Sequence, residues 1–526
     1  MTPLAATPPR RRAGVLLHPT SLPGPLWVGD IGPSARAFLR WLAASGGSVW
    51  QVLPLVPPDE GGSPYSSRSA FAASPLLISL EDLRAEGLLT AEELRGATRG
   101  FSERVGGAEG ALDRVDLATA REVHLPLVRR AASRFLHKRT ASDPALRAFI
   151  EREGAWLEEA ALFEALRSSH AGEPWWRWPE PLAAREPAAL ARARETLAGE
   201  VLLYQVTQHL FDAQWGRLRS EAEGLGVRLM GDLPIYVDLN SADVWASQRL
   251  FALGDDRAPT AVAGVPPDAF SATGQLWGNP LYRWDEMARD GYAWWVARLR
   301  RALALTHEVR IDHFRAFSAY WEVPRGAVDA RGGRWVEGPG AGLFEALARA
   351  LGPLPIVAED LGVIDEPVRA LVEAVGCPGM RVLQFAFDGD PLNAYLPHNH
   401  TRRSVVYTGT HDNNTTRGWW GELEGAARSQ VQRYLGVSGD DIAWDLTRAA
   451  LASTADLAVI PLQDLLSLGA DARMNTPGVA GGSWGWRVRS EALNEGVGGR
   501  LRELCVSYGR CDAPCDGGGR REGVAP

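Results

Sequence analysis

The sequence predicts an α/β protein folded as a (β/α)8 TIM-type barrel. Eight apolar segments of strand length follow one another along the 526 residues, and helical patterns lie between most of them. Most of these segments are continuous apolar runs, which is typical of parallel strands covered on both faces. Strands and helices that alternate in this number favour a closed barrel. An open doubly wound sheet is the alternative, because closure leaves no trace in a sequence.

The predicted elements are spread along the whole chain. The eight strands cover residues 14–19, 48–55, 228–237, 308–314, 355–361, 380–387, 404–412 and 454–464. Helical patterns between strands occupy residues 34–45, 292–305, 342–351 and 366–375. The first two strands form a barrel start at residues 14–55, and the other six lie within residues 228–504.

Three segments depart from the regular alternation. Residues 56–227 separate the second and third strands, and their helical periodicity predicts a mainly helical insertion. Residues 250–282, after the third strand, are dense in glycine and proline, which predicts a long lid-like structured loop. The last stretch, residues 505–526, ends in a run rich in glycine and arginine and is predicted to be disordered.

Composition excludes several classes of function. The net charge of −8, without a long basic block, argues against nucleic acid or an anionic membrane as the partner. No apolar run reaches the roughly 20 residues that span a bilayer, and the first residues do not resemble a secretory signal. Lys138 is the single lysine and belongs to no phosphate-binding loop, and its position on an exposed helical pattern argues against Schiff-base catalysis.

The cysteines predict a cytoplasmic location. Four cysteines in so long a chain do not make a disulfide framework, and their scarcity points to a reducing compartment. Three of them, Cys505, Cys511 and Cys515, crowd the last 22 residues. Their spacing is not that of a standard zinc site, and His398 and His400 lack a third ligand, so no metal is predicted.

Three predicted strands lead into an acid, namely Asp312, Glu359 and Asp412. The C-terminal ends of barrel strands meet at one mouth, where barrel enzymes carry their active sites. Glycoside chemistry needs one carboxylate to attack and one carboxylic acid to protonate, and often a third to orient the sugar. The three acids therefore predict a carbohydrate site, and the residues alone leave their roles unassigned.

Alternation along a strand decides which neighbours can act together. Arg310 and Asp312 are two apart and face the same side, so the cation is expected to lower the pKa of the acid and keep it ionised. A buried structural ion pair is the alternative. Glu359 and Asp360 are adjacent and face opposite sides, so only one of them reaches the mouth. For Asp412, the alternative is an Asx-turn or a helix N-cap.

Aromatic and polar loop residues are further candidates for sugar contact. Trp175, Trp176 and Trp178 form a cluster in the insertion, and flat indole rings suit either pyranose faces or a protein core. Ser63 and Tyr65 follow the second strand, on the loop face that also carries the acids. Turn formation alone is the alternative for this loop.

Seven motifs extend this pattern across residues 14–487. They are Gly-Val-Leu-Leu-His-Pro-Thr-Ser-Leu-Pro-Gly (14–24), Gly-Val-Pro-Pro-Asp (264–268), Gln-Leu-Trp-Gly-Asn-Pro-Leu-Tyr (275–282), Arg-Ile-Asp-His-Phe-Arg (310–315), Ala-Glu-Asp-Leu-Gly (358–362), Gly-Thr-His-Asp-Asn (409–413) and Ala-Arg-Met-Asn-Thr-Pro-Gly (472–478). With these motifs the chain resembles the 4-α-glucanotransferase family. Its members are also called amylomaltases or disproportionating enzymes and are relatives of the α-amylases.

The resemblance implies a retaining transfer of α-1,4-glucan that needs no cofactor or metal. Asp312 matches the family nucleophile, and Glu359, rather than Asp360, matches the general acid/base. Asp412 matches the carboxylate that binds sugar hydroxyls and stabilises the transition state. The resemblance implies substrate-binding roles for Arg310, His313, His411, Tyr65, Asp232, Trp277 and Asn475. Ser63, on the same loop as Tyr65, is predicted to bind substrate as well.

The resemblance also extends to a lid-like loop, and the chain differs from the family at three positions. Residues 256–277 match a lid-like loop over the site. Ala316, Asn414 and Ser74 differ from the residues that the family commonly has at these positions, and none of them is one of the three acids.

The predicted reaction moves glucan segments between α-1,4-glucans. Donor and acceptor would be malto-oligosaccharides, glucose or glucans of the starch and glycogen type, and the two catalytic carboxyls would lie about 5–5.5 Å apart. An α-glucan hydrolase that uses the same carboxylates with water is the alternative. A non-catalytic glucan-binding protein on a barrel scaffold is a weaker alternative, because all three acids are present. No oligomeric state is predicted.

Overall fold

Eight strands of the chain pair side by side in parallel and close into a barrel. The computed structural model describes residues 11–24, 27–59, 61–105, 114–139, 142–267, 271–479 and 481–512. The described strands, in the barrel and outside it, are β1 (Arg12–Leu16), β2 (Val49–Gln51), β3 (Arg228–Leu233), β4 (Ala261–Val265), β5 (Gln275–Pro280), β6 (Glu308–Ile311), β7 (Ala319–Pro324), β8 (Arg334–Glu337), β9 (Ile356–Ala358), β10 (Gly379–Val382), β11 (Ser404–Tyr407) and β12 (Leu457–Pro461). The barrel order is β1-β12-β11-β10-β9-β6-β3-β2.

The pairing of the first and last strands confirms the predicted (β/α)8 barrel and excludes the open sheet. β1 and β12 run in parallel register from Arg12 opposite Leu457 to Leu16 opposite Pro461. Each of the eight predicted strands overlaps one barrel strand, in the predicted order. The predicted runs extend past the observed C-terminal ends, because the residues there leave the ladder and turn over the barrel mouth.

Helices lie outside the barrel, some in a ring around it and others in the long connections between its strands. They are α1 (Pro33–Ala44), α2 (Leu80–Ala85), α3 (Ala91–Val105), α4 (Leu117–Arg139), α5 (Pro144–Ser169), α6 (Glu180–Ala183), α7 (Pro187–Thr196), α8 (Ala198–Gly224), α9 (Ala242–Ala246), α10 (Trp284–Arg289), α11 (Ala293–Leu305), α12 (Gly340–Leu351), α13 (Glu366–Val375), α14 (Thr416–Glu422), α15 (Gly425–Leu435), α16 (Ile442–Ala452), α17 (Leu462–Leu465) and α18 (Glu495–Ser507). Helices α1, α11, α12 and α13 lie where the sequence predicts them.

The connection between β2 and β3 is mainly helical, and its last helix belongs to the barrel. Helices α4 and α5 of the insertion pack on α8. Helix α8 also contacts α1, α11 and β3, so it is a member of the outer ring. The segment predicted as an insertion, residues 56–227, therefore contains one barrel helix, and its C-terminal boundary moves to the start of α8.

The tryptophan cluster of the insertion is part of a core. Trp175 and Trp178 are 0% and 4% exposed. The ring of Trp178 lies 5.5 Å from that of Phe163 and 5.7 Å from that of Trp245, measured between centroids. The indole N–H of Trp175 donates to the Leu239 carbonyl at 2.7 Å. These two rings pack the insertion against the segment that follows β3 and do not form a sugar platform.

The long loop after β3 is built partly of strands. Strands β4 and β5, inside residues 250–282, belong to an antiparallel four-stranded sheet of order β5-β4-β7-β8. The prediction of a structured loop did not include these two strands, because the partner β7 comes from the next connection and non-local pairing leaves no local signal. At Gly264 a Cβ would lie 2.6 Å from the Gln275 carbonyl oxygen, so glycine permits the close strand contact. Residues 268–270 lie outside the described part.

The C-terminal helix runs past the boundary predicted at residue 504. Helix α18 ends at Ser507, and a turn carries the described chain to residue 512. Cys505 is fully buried, and the Arg510 side chain is 2% exposed. The predicted disorder is therefore wrong for residues 505–512, because apolar residues on one helix face pack against the barrel. Residues 513–526, with Cys515, lie outside the described residues.

Among the residues that the structure describes, no helix is both long enough and apolar enough to cross a bilayer.

Replacing Gly14 by Ala is expected to destabilise the barrel. The added Cβ would lie 2.8 Å from the Val49 carbonyl oxygen and 2.9 Å from the Val49 Cβ. Overpacking of this kind costs about 1–3 kcal/mol, read as a lower melting temperature. Gly499→Ala is the matched control, because a Cβ there meets nothing within 4 Å and Gly499 lies inside α18. The free energy of unfolding of this control should rise by about 0.5–1 kcal/mol, because alanine favours the helix over glycine. Equal melting temperatures for the two variants would contradict this reasoning.

Candidate active site

The three acids lie just past the C-terminal ends of barrel strands. Asp312 follows β6, Glu359 follows β9 and Asp412 lies on the loop after β11. Strands β6 and β9 are neighbours, and the backbone N–H of Glu359 donates to the Ile311 carbonyl at 3.0 Å. The charge of Asp412 acts on Asp312, and the charge of Asp312 acts on Glu359. The fold therefore brings the three acids to one polar site at the barrel mouth.

Arg310 links the site to the barrel interior. Its Nη1 donates to both carboxylate oxygens of Asp232, at 2.8 and 2.7 Å, and its Nη2 donates to Asp312 at 2.9 Å. The hydroxyl of Tyr65 donates to Asp232 at 2.7 Å. The side chains of Asp232 and Arg310 are 0% and 3% exposed, whereas that of Asp312 is 26% exposed. Of the two carboxylates that Arg310 binds, only that of Asp312 is exposed to a ligand.

Glu359 and Asp360 face opposite sides, as alternation along the strand requires. The Glu359 carboxylate accepts the backbone N–H of His313 at 2.7 Å and that of Leu361 at 3.0 Å. Asp360 instead accepts the backbone N–H of Met380 at 2.6 Å and lies 3.3 Å from Arg381. Glu359 thus lies on the side of Asp312. Asp360 instead pairs with Arg381 of the neighbouring strand β10.

A left-handed backbone bend at His313 positions the carboxyl of Glu359. His313 has φ 50° and ψ 47°, a conformation that costs a residue with a Cβ about 1 kcal/mol or more. The bend directs its N–H toward Glu359. The His313 ring meets Trp277 edge to face at 4.8 Å between centroids, and Trp277 is 37% exposed. Among the described residues, His313 Nε2 is buried without a hydrogen-bond partner.

Asp412 is held by side chains from the last barrel loop. The Asn475 amide donates to its carboxylate at 2.6 Å, and His411 Nε2 lies 3.3 Å from it. Arg473 fixes the Asp412 carbonyl at 2.6 Å. The hydroxyl of Thr415, rather than Asp412, caps helix α14. The N-cap alternative for Asp412 is therefore wrong, and its carboxylate remains at the mouth.

Aromatic rings form a wall next to Asp412. Tyr65 and His411 stack with centroids 5.0 Å apart and planes 10° apart. Trp484 lies 5.7 Å from Tyr65 and 6.0 Å from His411. Sequence reasoning missed Trp484, although it follows a glycine pair shortly after Asn475. Ser63, predicted as a binding residue, accepts the backbone N–H of Tyr65 at 3.2 Å and shapes the loop that carries this ring.

The pKa values of Glu359 and Asp312 are both raised by burial, and to different extents. Burial raises the pKa of Glu359 to about 8 and that of Asp312 to about 6, and Arg310 lowers both. The prediction that Arg310 sets a low pKa for Asp312 is correct in the sign of that contribution and wrong in the net result, because burial outweighs it. Near pH 7, Glu359 holds a proton while Asp312 is ionised. A carboxylic acid thus lies beside a carboxylate.

The two histidines considered as metal ligands have separate partners. His398 bonds to the Tyr434 hydroxyl and the Pro391 carbonyl. His400 bonds to the Ser453 hydroxyl and the Tyr395 carbonyl. Within the described ranges, no group of three or more histidine, cysteine, aspartate or glutamate side chains could hold a metal ion.

Replacing Glu359 by Gln should stabilise the protein increasingly as pH rises. Because the folded pKa of about 8 lies above the unfolded value of 4.5, ionisation above about pH 5 favours the unfolded chain. The difference in melting temperature, variant minus wild type, should increase by about 2–4 °C from pH 5 to pH 9. The amide cannot accept both backbone N–H groups, and that loss is the same at every pH.

The exposed Glu366→Gln variant is the matched control for this measurement, since Glu366 lies outside the site and its side chain is 79% exposed. Its melting difference should stay flat from pH 5 to pH 9. A flat profile for Glu359→Gln as well would show that the carboxyl ionises as readily in the fold as in the unfolded chain.

Comparison with known proteins agrees with this geometry. The 4-alpha-glucanotransferase family matches residues 17–493 of the chain. The 4-alpha-glucanotransferase of Thermus thermophilus is 48% identical over 509 residues, covering 95% of this chain and 99% of the relative. The chloroplastic/amyloplastic 4-alpha-glucanotransferase of Arabidopsis thaliana is 47% identical over 507 residues, covering 95% of this chain and 86% of the relative.

A solved structure has the same fold over almost its whole length. The amylomaltase from Streptococcus agalactiae in complex with acarbose superposes with a TM-score of 0.91 at 36% identity. The match covers 96% of this chain and 100% of that chain. With the family match and the relatives at close to half identity, the predicted resemblance is confirmed: the chain belongs to the 4-alpha-glucanotransferase family.

Proposed function

We propose that this 4-alpha-glucanotransferase transfers α-1,4-glucan segments by a retaining double displacement centred on Asp312 and Glu359. One observation carries the proposal: two partly buried carboxyls lie at the ends of neighbouring strands, and their raised pKa values, about 6 for Asp312 and about 8 for Glu359, divide attack and proton donation between them. This division of roles between two carboxyls is what retaining glycoside chemistry requires.

In the first step the donor glucan is cleaved. A carboxylate oxygen of Asp312 attacks the anomeric carbon, and the bond from that carbon to the glycosidic oxygen breaks. Glu359 gives its proton to the leaving oxygen, so the reducing-end part departs with a free 4-hydroxyl. The product is a β-linked glycosyl ester on Asp312, with Glu359 now ionised.

In the second step the glycosyl group passes to an acceptor. Glu359 takes the proton of the acceptor 4-hydroxyl, whose oxygen attacks the anomeric carbon and displaces Asp312. The new bond has the α configuration, because two inversions restore the original one. Both carboxyls return to their starting protonation states, and no cofactor takes part.

The surrounding residues support these steps. Arg310 and Asp232 hold the nucleophile through the hydrogen bonds described above, and Tyr65 supports Asp232. Asp412 is the proposed ligand for sugar hydroxyls next to the reacting carbon. The other proposed sugar contacts are His313, Trp277, His411, Asn475 and Ser63.

The proposed donors and acceptors are malto-oligosaccharides, glucose and glucans of the starch and glycogen type. The amylomaltase of Streptococcus agalactiae was solved in complex with acarbose, which supports an α-glucan ligand for this chain. The lid-like segment that contains β4 and β5 supports transfer over hydrolysis, since covering the site would exclude water from the glycosyl-enzyme. Cysteine scarcity supports a cytoplasmic location, although the plant relatives are named as chloroplastic.

Replacing Asp312 by Asn should abolish transfer while leaving the fold intact. With maltotriose, the wild type should yield glucose together with chains longer than maltotriose, separated by chromatography. The variant should lose at least about a thousandfold in kcat/KM, because no glycosyl ester can form. Asp360→Asn is the control, since its carboxyl faces away from Asp312, and it should stay within about tenfold of the wild type.

Two results would count against this assignment. Near-normal turnover by Asp312→Asn would exclude it as the nucleophile. Shortened chains alone from the wild type, without longer ones, would make the enzyme an α-glucan hydrolase that uses water as acceptor.

The kcat/KM for maltotriose should have a bell-shaped pH profile. Below about pH 6 the nucleophile Asp312 gains a proton and activity falls, and above about pH 8 Glu359 loses its proton and activity falls again. In Glu359→Gln the alkaline limb should disappear from the residual rate. A maltosyl fluoride donor, whose fluoride leaves without a proton, should restore formation of the glycosyl ester in this variant. A limb near pH 8 that persists in Glu359→Gln would assign that proton to another group.

A further inference from the structure

Two cysteine side chains meet below the barrel, at the end opposite to the three acids. Cys505 lies in α18 and is fully buried, and Cys511 lies in the turn after this helix and is partly exposed. The two thiols are hydrogen-bonded to each other. The backbone N–H of Cys511 also donates to the Cys505 carbonyl, at 3.3 Å. The turn therefore brings both sulfur atoms to one place.

The position of Gly46 shows how closely the two side chains approach. A Cβ built on Gly46 would lie 2.8 Å from the Cys511 Sγ, 3.2 Å from the Cys505 Cβ and 3.4 Å from the Cys511 Cβ. Both cysteine Cβ atoms thus lie near the same point, and a disulfide requires them to approach to roughly 3.5–4.5 Å. Gly46 has φ +80° and carries no side chain, so this space stays open for a sulfur bridge.

The turn between the cysteines fastens the C-terminal helix to the strands that close the barrel. The guanidinium of Arg510 donates to the carbonyls of Leu451 and Ser453, at 2.7 and 2.9 Å. It also donates to the carbonyl of Arg12, the first residue of β1, at 2.7 Å. These carbonyls flank the N-terminal ends of β1 and β12. We call residues 508–511 the C-terminal latch.

We propose that Cys505 and Cys511 form a reversible disulfide that locks the C-terminal latch under oxidising conditions. The oxidant is an oxidised low-molecular-weight thiol, such as glutathione disulfide. Cys511, the more exposed thiol, attacks a sulfur of this disulfide as its thiolate and releases one thiolate. Cys505 then loses its proton and attacks the Cys511 Sγ, and the second thiolate leaves. Two protein thiols are oxidised, and one external disulfide is reduced to two thiols.

The chemistry of the two cysteines fits this order of events. Burial raises the pKa of Cys505 to about 12, so this thiol meets the oxidant only through Cys511. The barrel separates the latch from the mouth, so oxidation should leave the transfer reaction unchanged and increase the stability of the closing strands. The remaining described cysteine, Cys377, is 4% exposed and serves as an internal reference.

The test uses the full chain and three single variants, Cys505→Ser, Cys511→Ser and Cys515→Ser. Each is reduced, treated with glutathione disulfide and analysed by intact mass and non-reducing peptide mapping. The wild type and Cys515→Ser should lose two hydrogen atoms, with the link mapped between Cys505 and Cys511. Cys505→Ser should stop at a glutathione adduct on Cys511, and Cys511→Ser should form no Cys505 disulfide.

Stability and activity measurements test the lock itself. Oxidised wild type should melt roughly 2 °C higher than the reduced form and resist protease removal of α18, and dithiothreitol should reverse both effects. Its kcat for transfer should be unchanged. The proposal is overturned if the adduct on Cys511 persists in the wild type, or if the disulfide uses Cys515. It is also overturned if the oxidised and reduced forms melt and are digested alike.

Discussion

The position of the predicted nucleophile depends on one buried cation. Arg310 has 3% of its side chain exposed, where an unpaired guanidinium would cost several kcal/mol. Burial lowers its pKa, but Asp232 and Asp312 raise it by more. Because Asp232 lies on β3 and also binds Tyr65 from the loop after β2, three parts of the barrel must fit together before Asp312 is fixed. Folding and preorganisation of the site are therefore the same event.

Strand β6 places charges at three depths of the barrel, and only the outermost lacks full compensation. Glu308, Arg310 and the following Asp312 alternate along the chain and face inward. At the bottom, burial raises the pKa of Glu308, but Arg12 and Arg228 lower it by more. At the mouth, burial raises the pKa of Asp312 by more than Arg310 lowers it, and the nearby Asp232 and Asp412 raise it further. A carboxylate that the protein stabilises incompletely keeps its capacity to react with an electrophilic carbon.

Local periodicity made much of the fold predictable from the sequence, whereas features decided by tertiary contacts were missed. Buried parallel strands are continuous apolar runs, so all eight were found, and alternation paired Arg310 with Asp312. Alternation also showed that only one of Glu359 and Asp360 faces the mouth, but the choice between them needed the family motif. The sign of the net pKa shift at Asp312 depends on burial, which neighbours from other strands create. The pairing of β4 with β7 and the approach of Trp484 to Tyr65 join distant segments, so no local pattern marks them.

The two ends of the barrel have separate tasks. At the lower end, Arg510 and its neighbours fasten α18 to the closing strands through backbone carbonyls, which change neither charge nor position near the mouth. Glu308 pairs with Arg12 and Arg228 near the lower end, whereas Arg310 pairs with Asp232 in the interior and with Asp312 at the mouth. The carbonyls that Arg510 binds are therefore not among the groups that hold Asp312, which are Arg310 and, through it, Asp232. Such a barrel can adjust its stability at the lower end while the chemistry at the mouth stays the same.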